Sequence, residues 1–96
     1  MTTFNFGDAL SMLRAGQRVT RQGWNGRGMW LILIKGSTFT VEAERTLGQA
    51  APDMVGQKVD YRPHIDMKTV DGSVVPWVAS QSDLLATDWY PVSAAR

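Results

Sequence analysis

The sequence predicts an α+β domain, a small twisted antiparallel sheet with an N-terminal helix and a short C-terminal helix. Three observations predict it. Residues 5–16 carry one helical period that ends in a glycine, short apolar runs bounded by turn residues recur from Val19 onward, and "SQSDLL" opens a second, brief helix. A chain of 96 residues is expected to form one domain, residues 1–96, that buries roughly 60–70% of its unfolded surface.

The first helix is expected over residues 6–15. Asn5 stands three residues before Asp8, as a cap stands before a first-turn carboxylate. Phe6, Ala9, Leu10 and Leu13 recur at helical spacing, and Gly16 offers the stop. Val19 begins an extended segment running to "GWNGRG", where Asn25-Gly26 signals a tight hairpin turn. "MWLILI", residues 29–34, returns as a strand with Trp30, Ile32 and Ile34 on one side and Met29, Leu31 and Leu33 on the other. Both sides are apolar, and one short helix covers only one face of a small sheet. The other face is therefore expected to meet a second copy of the chain. "GSTFTVEAE" reads as a shorter strand with Phe39 and Val41 inward, and residues 46–60, which show no period, as a loop.

Asp71-Gly72 predicts a two-residue turn, and such a turn fixes a register: Lys68 opposite Val75, Asp66 opposite Trp77, His64 opposite Ala79. One face would then carry His64, Asp66, Lys68, Val75 and Trp77, and the core face Ile65, Met67, Thr69, Val74, Pro76 and Val78. Pro76 suits an edge strand. A tryptophan among an imidazole, a carboxylate and an ammonium is what a planar, charged ligand requires, whereas a solvated ion-pair face is the plainer alternative. Ser80 and Asp83 form a capping box ahead of Leu84 and Leu85, a helix start that also presents free N–H groups. Gln81 has no comparable structural role. "DWYPV" closes the chain as a final strand with Trp89 in the core.

Composition narrows the function. Apolar content of 44% and charged content of 20% are those of a globular protein, so disorder is not expected. The absence of cysteine removes disulfides and thiolate nucleophiles, and a lone histidine, His64, leaves no His-rich metal centre; no metal or cofactor is expected. The N-terminal residues lack a signal-peptide pattern and the longest apolar run cannot span a bilayer, so a soluble, intracellular protein without membrane attachment is expected. A net charge of +1 without a basic stripe argues against a nucleic-acid polymer as partner. Arg14, Arg18, Arg21 and Arg27 nonetheless face only Asp8 in the first thirty residues, which makes either a solvated basic face or a local anion site. A hydrolase would have to use Asp66 or Asp83 as base and His64 as acid. The chain has no glycine-rich phosphate loop and no metal-ligand spacing, so it is not expected to be an enzyme. A protein-binding inhibitor that exposes its apolar strand is a further alternative.

The runs "FGDALSMLRAGQRVTRQ", "GWNGRGMWL", "KGSTF" and "YRPHIDMKTVDGSVVPWVASQSDLLATDW" resemble, in order and spacing, the second Thoeris anti-defence family of small phage and prophage proteins. The resemblance covers nearly the whole chain except residues 46–60. It implies a homotetrameric sponge in the cytoplasm of the infected bacterial host, which sequesters glycocyclic ADP-ribose immune signals without cleaving them and so silences the Thoeris effector. Some relatives also take up cyclic oligonucleotides at a separate site. For such a ligand, Trp24 and Trp77 are expected to stack adenine, and Arg62, His64 and Lys68 to pair with the pyrophosphate. Asn25, Asp66, Ser80, Gln81 and Asp83 are expected to hold ribose hydroxyls, in pockets between protomers.

Overall fold

The computed structural model describes residues 1–24 and 27–93. Helix α1 (Phe6–Arg14) starts where the local signals place it: the Asn5 side chain accepts the Asp8 N–H at 2.8 Å. It ends in a Schellman motif, with Gly16 N–H on the Leu13 carbonyl, Gln17 N–H on the Met12 carbonyl, and Gly16 at φ +89°. Strands β1 (Val19–Arg21), β2 (Trp30–Ile34), β5 (His64–Lys68), β6 (Val74–Pro76) and β7 (Trp89–Pro91) form a five-stranded sheet in the order β6-β5-β2-β1-β7, every pair antiparallel. The α+β expectation is met.

One face of this sheet carries the core. Val19, Leu31 and Trp89 lie fully buried against Ala9 and Leu13 of α1, the helix face that the apolar period marks. Partly buried Phe6, Leu33, Ile65, Met67 and Trp77 pack around them. The opposite face bears Trp30, Ile32 and Ile34 of β2, directly across from Lys68, Asp66 and His64 of β5. No helix among the described residues packs on that face, and its side chains are half-buried.

Between β2 and β5 the chain leaves the sheet as an arm. Strands β3 (Ser37–Thr40) and β4 (Lys58–Tyr61) pair with each other, with Phe39 opposite Val59. The segment expected to be a loop folds into a five-residue helix α2 (Thr46–Ala50) and a 3-10 turn, Pro52–Met54. Five residues are too few to display a helical period, which is why none is visible. Val41 is buried as expected, but Phe39 is exposed, because a two-stranded ribbon has no second layer to cover it. The arm makes the molecule long: its radius of gyration is 16.6 Å, against about 12–13 Å for a compact chain of this length.

The hairpin joining β5 to β6 corrects the expected register. Lys68 pairs with Val74, Met67 with Val75 and Asp66 with Pro76, one residue away from the two-residue-turn pairing. The loop has three residues: Thr69 N–H bonds the Ser73 carbonyl, Gly72 N–H bonds the Thr69 carbonyl, and Gly72 alone takes a positive φ, +91°. A type I′ turn would need a positive φ at Asp71 as well. Asp71 instead accepts from the Thr69 hydroxyl and the Ser73 N–H, bonds that suit a type I turn followed by left-handed glycine. A slip of one residue exchanges faces. Trp77 thus shares the core face with Ile65, while Val74 and Pro76 join His64, Asp66 and Lys68 outside. Val78, expected inside, is 87% exposed. Pro76 does occupy an edge strand.

Candidate functional site

The residues singled out in the sequence fall into two groups on opposite sides of the sheet. His64, Asp66 and Lys68 stand in a row on the uncovered face, with Arg62 exposed at its end. His64 Nδ1 lies 3.2 Å from the Arg62 carbonyl, its Nε2 lies 3.7 Å from Asp66 Oδ1, and its ring meets Tyr61 edge-on at 5.5 Å. Trp77, Ser80, Gln81 and Asp83 lie on the α1 side. Trp77 leans on Phe6 (6.0 Å) and Trp89 (6.2 Å), so it is not a neighbour of Asp66 and Lys68 as the two-residue turn implied. Asn25 lies outside the described residues.

Helix α3 (Gln81–Leu85) has the capping box that its sequence announces, with Ser80 Oγ accepting from Asp83 N–H and Asp83 Oδ2 accepting from Ser80 N–H. Gln81 is exposed at its first turn. Asp83 is buried and does more than cap. Its Oδ1 accepts from Arg21 Nη1 at 2.8 Å and from the Trp24 indole at 3.1 Å, while its backbone carbonyl accepts the Trp89 indole at 3.0 Å. Arg21 Nε also pairs with Asp88 Oδ1 at 2.8 Å, and Asp88 Oδ2 accepts the Gly23 N–H at 2.7 Å. Arg21 therefore joins β1, α3, β7 and the start of the 22–29 loop.

Charge in this network is well compensated. Hydrogen bonding to Asp88, then to Asp83, raises the Arg21 pKa against the opposing effect of burial. Burial pushes Asp83 up, but the bonds from Trp24, Arg21 and Ser80 together hold it below the ordinary value of 3.8, and Arg21 lowers Asp88 likewise. The Thr69 hydroxyl and Ser73 hold Asp71 at about 2. Because these carboxylates have depressed folded values, their stabilisation is complete above the unfolded value and fades as pH falls through the folded ones. The urea midpoint is expected to be level from roughly pH 7 to 5 and to drop below roughly pH 4, less steeply in Asp88→Asn. A midpoint that rises on acidification would contradict the pairing.

Beside this network opens a cavity of about 360 Å³, walled by Trp24, Arg27, Gly28 and Trp30 and, from β1 and β7, by Arg21 and Tyr90. The volume lies within the range of small-ligand sites. Arg18 lies over the Trp30 ring at 5.1 Å and Lys68 at 5.9 Å. Arg21 has its Nε and Nη1 committed to carboxylates, whereas Arg27 is exposed and has no ion pair among the described residues. Flat aromatic walls beside an uncommitted guanidinium suit a planar anion. A larger hollow of about 620 Å³ on the arm, between Phe39 and Leu47, has its Arg45 paired with Glu42 at 3.5 Å. Of the residues set out as ligand contacts, only Trp24 lines the cavity. The concentration of arginine in the first thirty residues is the sequence signal for Arg21 and Arg27; for Trp30 the sequence shows only its side of the strand.

A family model for the Thoeris anti-defense 2-like domain matches residues 4–92. The chain belongs to this family. It is also 36% identical over 92 residues to Thoeris anti-defense 2 of Bacillus phage SP01, an alignment covering 96% of this chain and 98% of the relative. The matched range, residues 4–92, spans both the sheet and the arm.

Proposed function

We propose that the protein binds a glycocyclic ADP-ribose signal and retains it uncleaved, keeping it from the Thoeris effector in the cytoplasm of the infected host. Membership of an anti-defence family supports the biological setting. The observation that carries the binding step is the cavity in which Trp24, Trp30 and Tyr90 stand beside Arg27. Trp24 stacks the adenine, worth ~1–3 kcal/mol, and Arg27 takes the pyrophosphate through charge-assisted bonds of ~1.5–3 kcal/mol each. A nanomolar sponge needs ~12 kcal/mol, more than this cavity supplies alone.

A second copy supplies the remainder. His64 and Asp66 on one side and Trp77, Ser80 and Gln81 on the other lie on opposite faces of one sheet, so one ligand meets both only where two protomers adjoin. A homotetramer with shared pockets fits this division. Retention without catalysis is consistent with the state of one acid–base candidate: Asp83 is saturated by Arg21, Trp24 and Ser80.

The test mixes protein with purified glycocyclic ADP-ribose isomers, removes free ligand by filtration, heat-denatures the protein and identifies what is released by chromatography. Intact ligand is expected. Altered products would make the protein an enzyme, and retention of cyclic oligonucleotides instead would change the ligand class. In the same assay Trp24→Ala is expected to weaken binding about 5–150-fold, the equivalent of one lost stack. Trp24→Phe retains a stacking face and loses only the indole donor, so it should bind better than the alanine variant; equal loss in both would remove stacking from the account.

A further inference from the structure

The 22–29 loop, which supplies Trp24, Arg27 and Gly28 to the cavity wall, is held at both ends by side chains from elsewhere in the fold. At its start, Asp88 accepts the Gly23 N–H at 2.7 Å and its backbone carbonyl accepts the Gln22 N–H at 3.2 Å, while Asp83 accepts the Trp24 indole. A methyl group on Gly23 would lie 2.8 Å from Asp88 Oδ2, so the fit there admits no side chain without displacing the carboxylate. At its end, Lys68 Nζ donates to the Gly28 carbonyl at 2.8 Å, reaching from β5 past the Trp30 ring. Gly28 has φ +73°, a left-handed conformation that favours glycine.

We propose that Lys68 and Asp88 are positioning residues, two clasps that preorganise the wall formed by Trp24, Arg27 and Gly28 for its ligand without touching it. This rests on the sponge reading given above and assigns Lys68, the pyrophosphate partner suggested by the sequence, a different role. The physical reason is the cost of order. A loop of eight residues that is free in the unbound protein must lose its backbone freedom at the moment of binding, which a wall held in advance does not. If removing one clasp leaves only a tenth of molecules with the wall in place, the apparent Kd rises about tenfold. The loss appears in the association rate, because the bound complex, once made, keeps its ligand contacts. A lysine that touched the pyrophosphate would instead be missed in the dissociation rate.

The variants are Lys68→Met, which keeps the stem over Trp30 and loses the donor, Lys68→Arg, which restores a donor, and Asp88→Asn, which removes a charge at the other clasp. Amide hydrogen exchange of residues 22–29 is measured on the ligand-free oligomer, and association and dissociation rates with purified glycocyclic ADP-ribose on the same samples. Lys68→Met is expected to speed exchange in this loop alone and to slow association about tenfold with dissociation little changed; Lys68→Arg should recover most of both. Asp88→Asn is expected to act in the same direction. Unchanged exchange, or faster exchange with unaltered association, would overturn the positioning role and leave the sponge reading intact. A loss confined to dissociation would make Lys68 a ligand contact. Failure of the unsubstituted protein to retain the ligand would overturn the sponge reading, and the positioning role with it.

Discussion

Asp83→Ala is expected to lower the thermal unfolding midpoint by about 10–20 °C. The Asp83 side chain sits at 11% exposure and meets three donors from three parts of the chain: Arg21, the Trp24 indole and the Ser80 N–H. Alanine removes the acceptor and leaves the donors. Arg21 keeps Asp88, so its charge is not stranded, but its Nη1 and the indole N–H lose their partner in a half-dry setting, and the capping box loses one arm. Together these amount to ~2–3 kcal/mol, less than for a fully buried pair because the Arg21 side chain retains 16% exposure. In a domain of this size each 1 kcal/mol moves the midpoint by about 4–8 °C. Scanning calorimetry reads this directly. A shift below about 3 °C would mean that water replaces the carboxylate at little cost.

If copies assemble through the uncovered face of β2, as proposed above, Ile32→Glu is expected to leave a monomer of 10.6 kDa, read by light scattering against the unsubstituted protein, with little change in helix content. Ile32 lies at the middle of β2 on the face that no described helix covers, directly across from Asp66. In the free monomer a glutamate there remains partly in water. Against a second copy it would be buried beside a like charge, at a cost of several kcal/mol that no cation on its own strand offsets. Trp30 is a poorer probe, since Arg18 and Lys68 flank its ring and would pair with a new carboxylate. An unaltered mass would place the contact between copies elsewhere, on the arm or on the exposed Val78 and Leu85.

Both expectations rest on features that differ in how openly the sequence displays them. The helix ends were legible because the groups that make them are neighbours: Asn5 with Asp8, Leu13 with Gly16, Ser80 with Asp83 each close a ring of a few residues. The strand at Trp30–Ile34 was legible as a short continuous apolar run after a turn signal, and the edge position of Pro76 from its missing donor. The arm was not, since α2 is shorter than the period that would reveal it.

The sequence by itself determined the α+β class, the first helix and both of its ends, the capping box of α3 and the apolar character of both faces of β2. These follow from interactions within a turn or two of chain, or from a period of two. Only the tertiary structure decided the β5–β6 register and the network that surrounds the cavity. Asp71-Gly72 is compatible with a turn of two residues or of three, and the choice falls to the face on which Trp77 finds Phe6 and Trp89. Arg21 meets Asp83 and Asp88 across 62 and 67 residues of chain. No local pattern records such a meeting, because it depends on which strands adjoin and on the depth to which packing draws each charge.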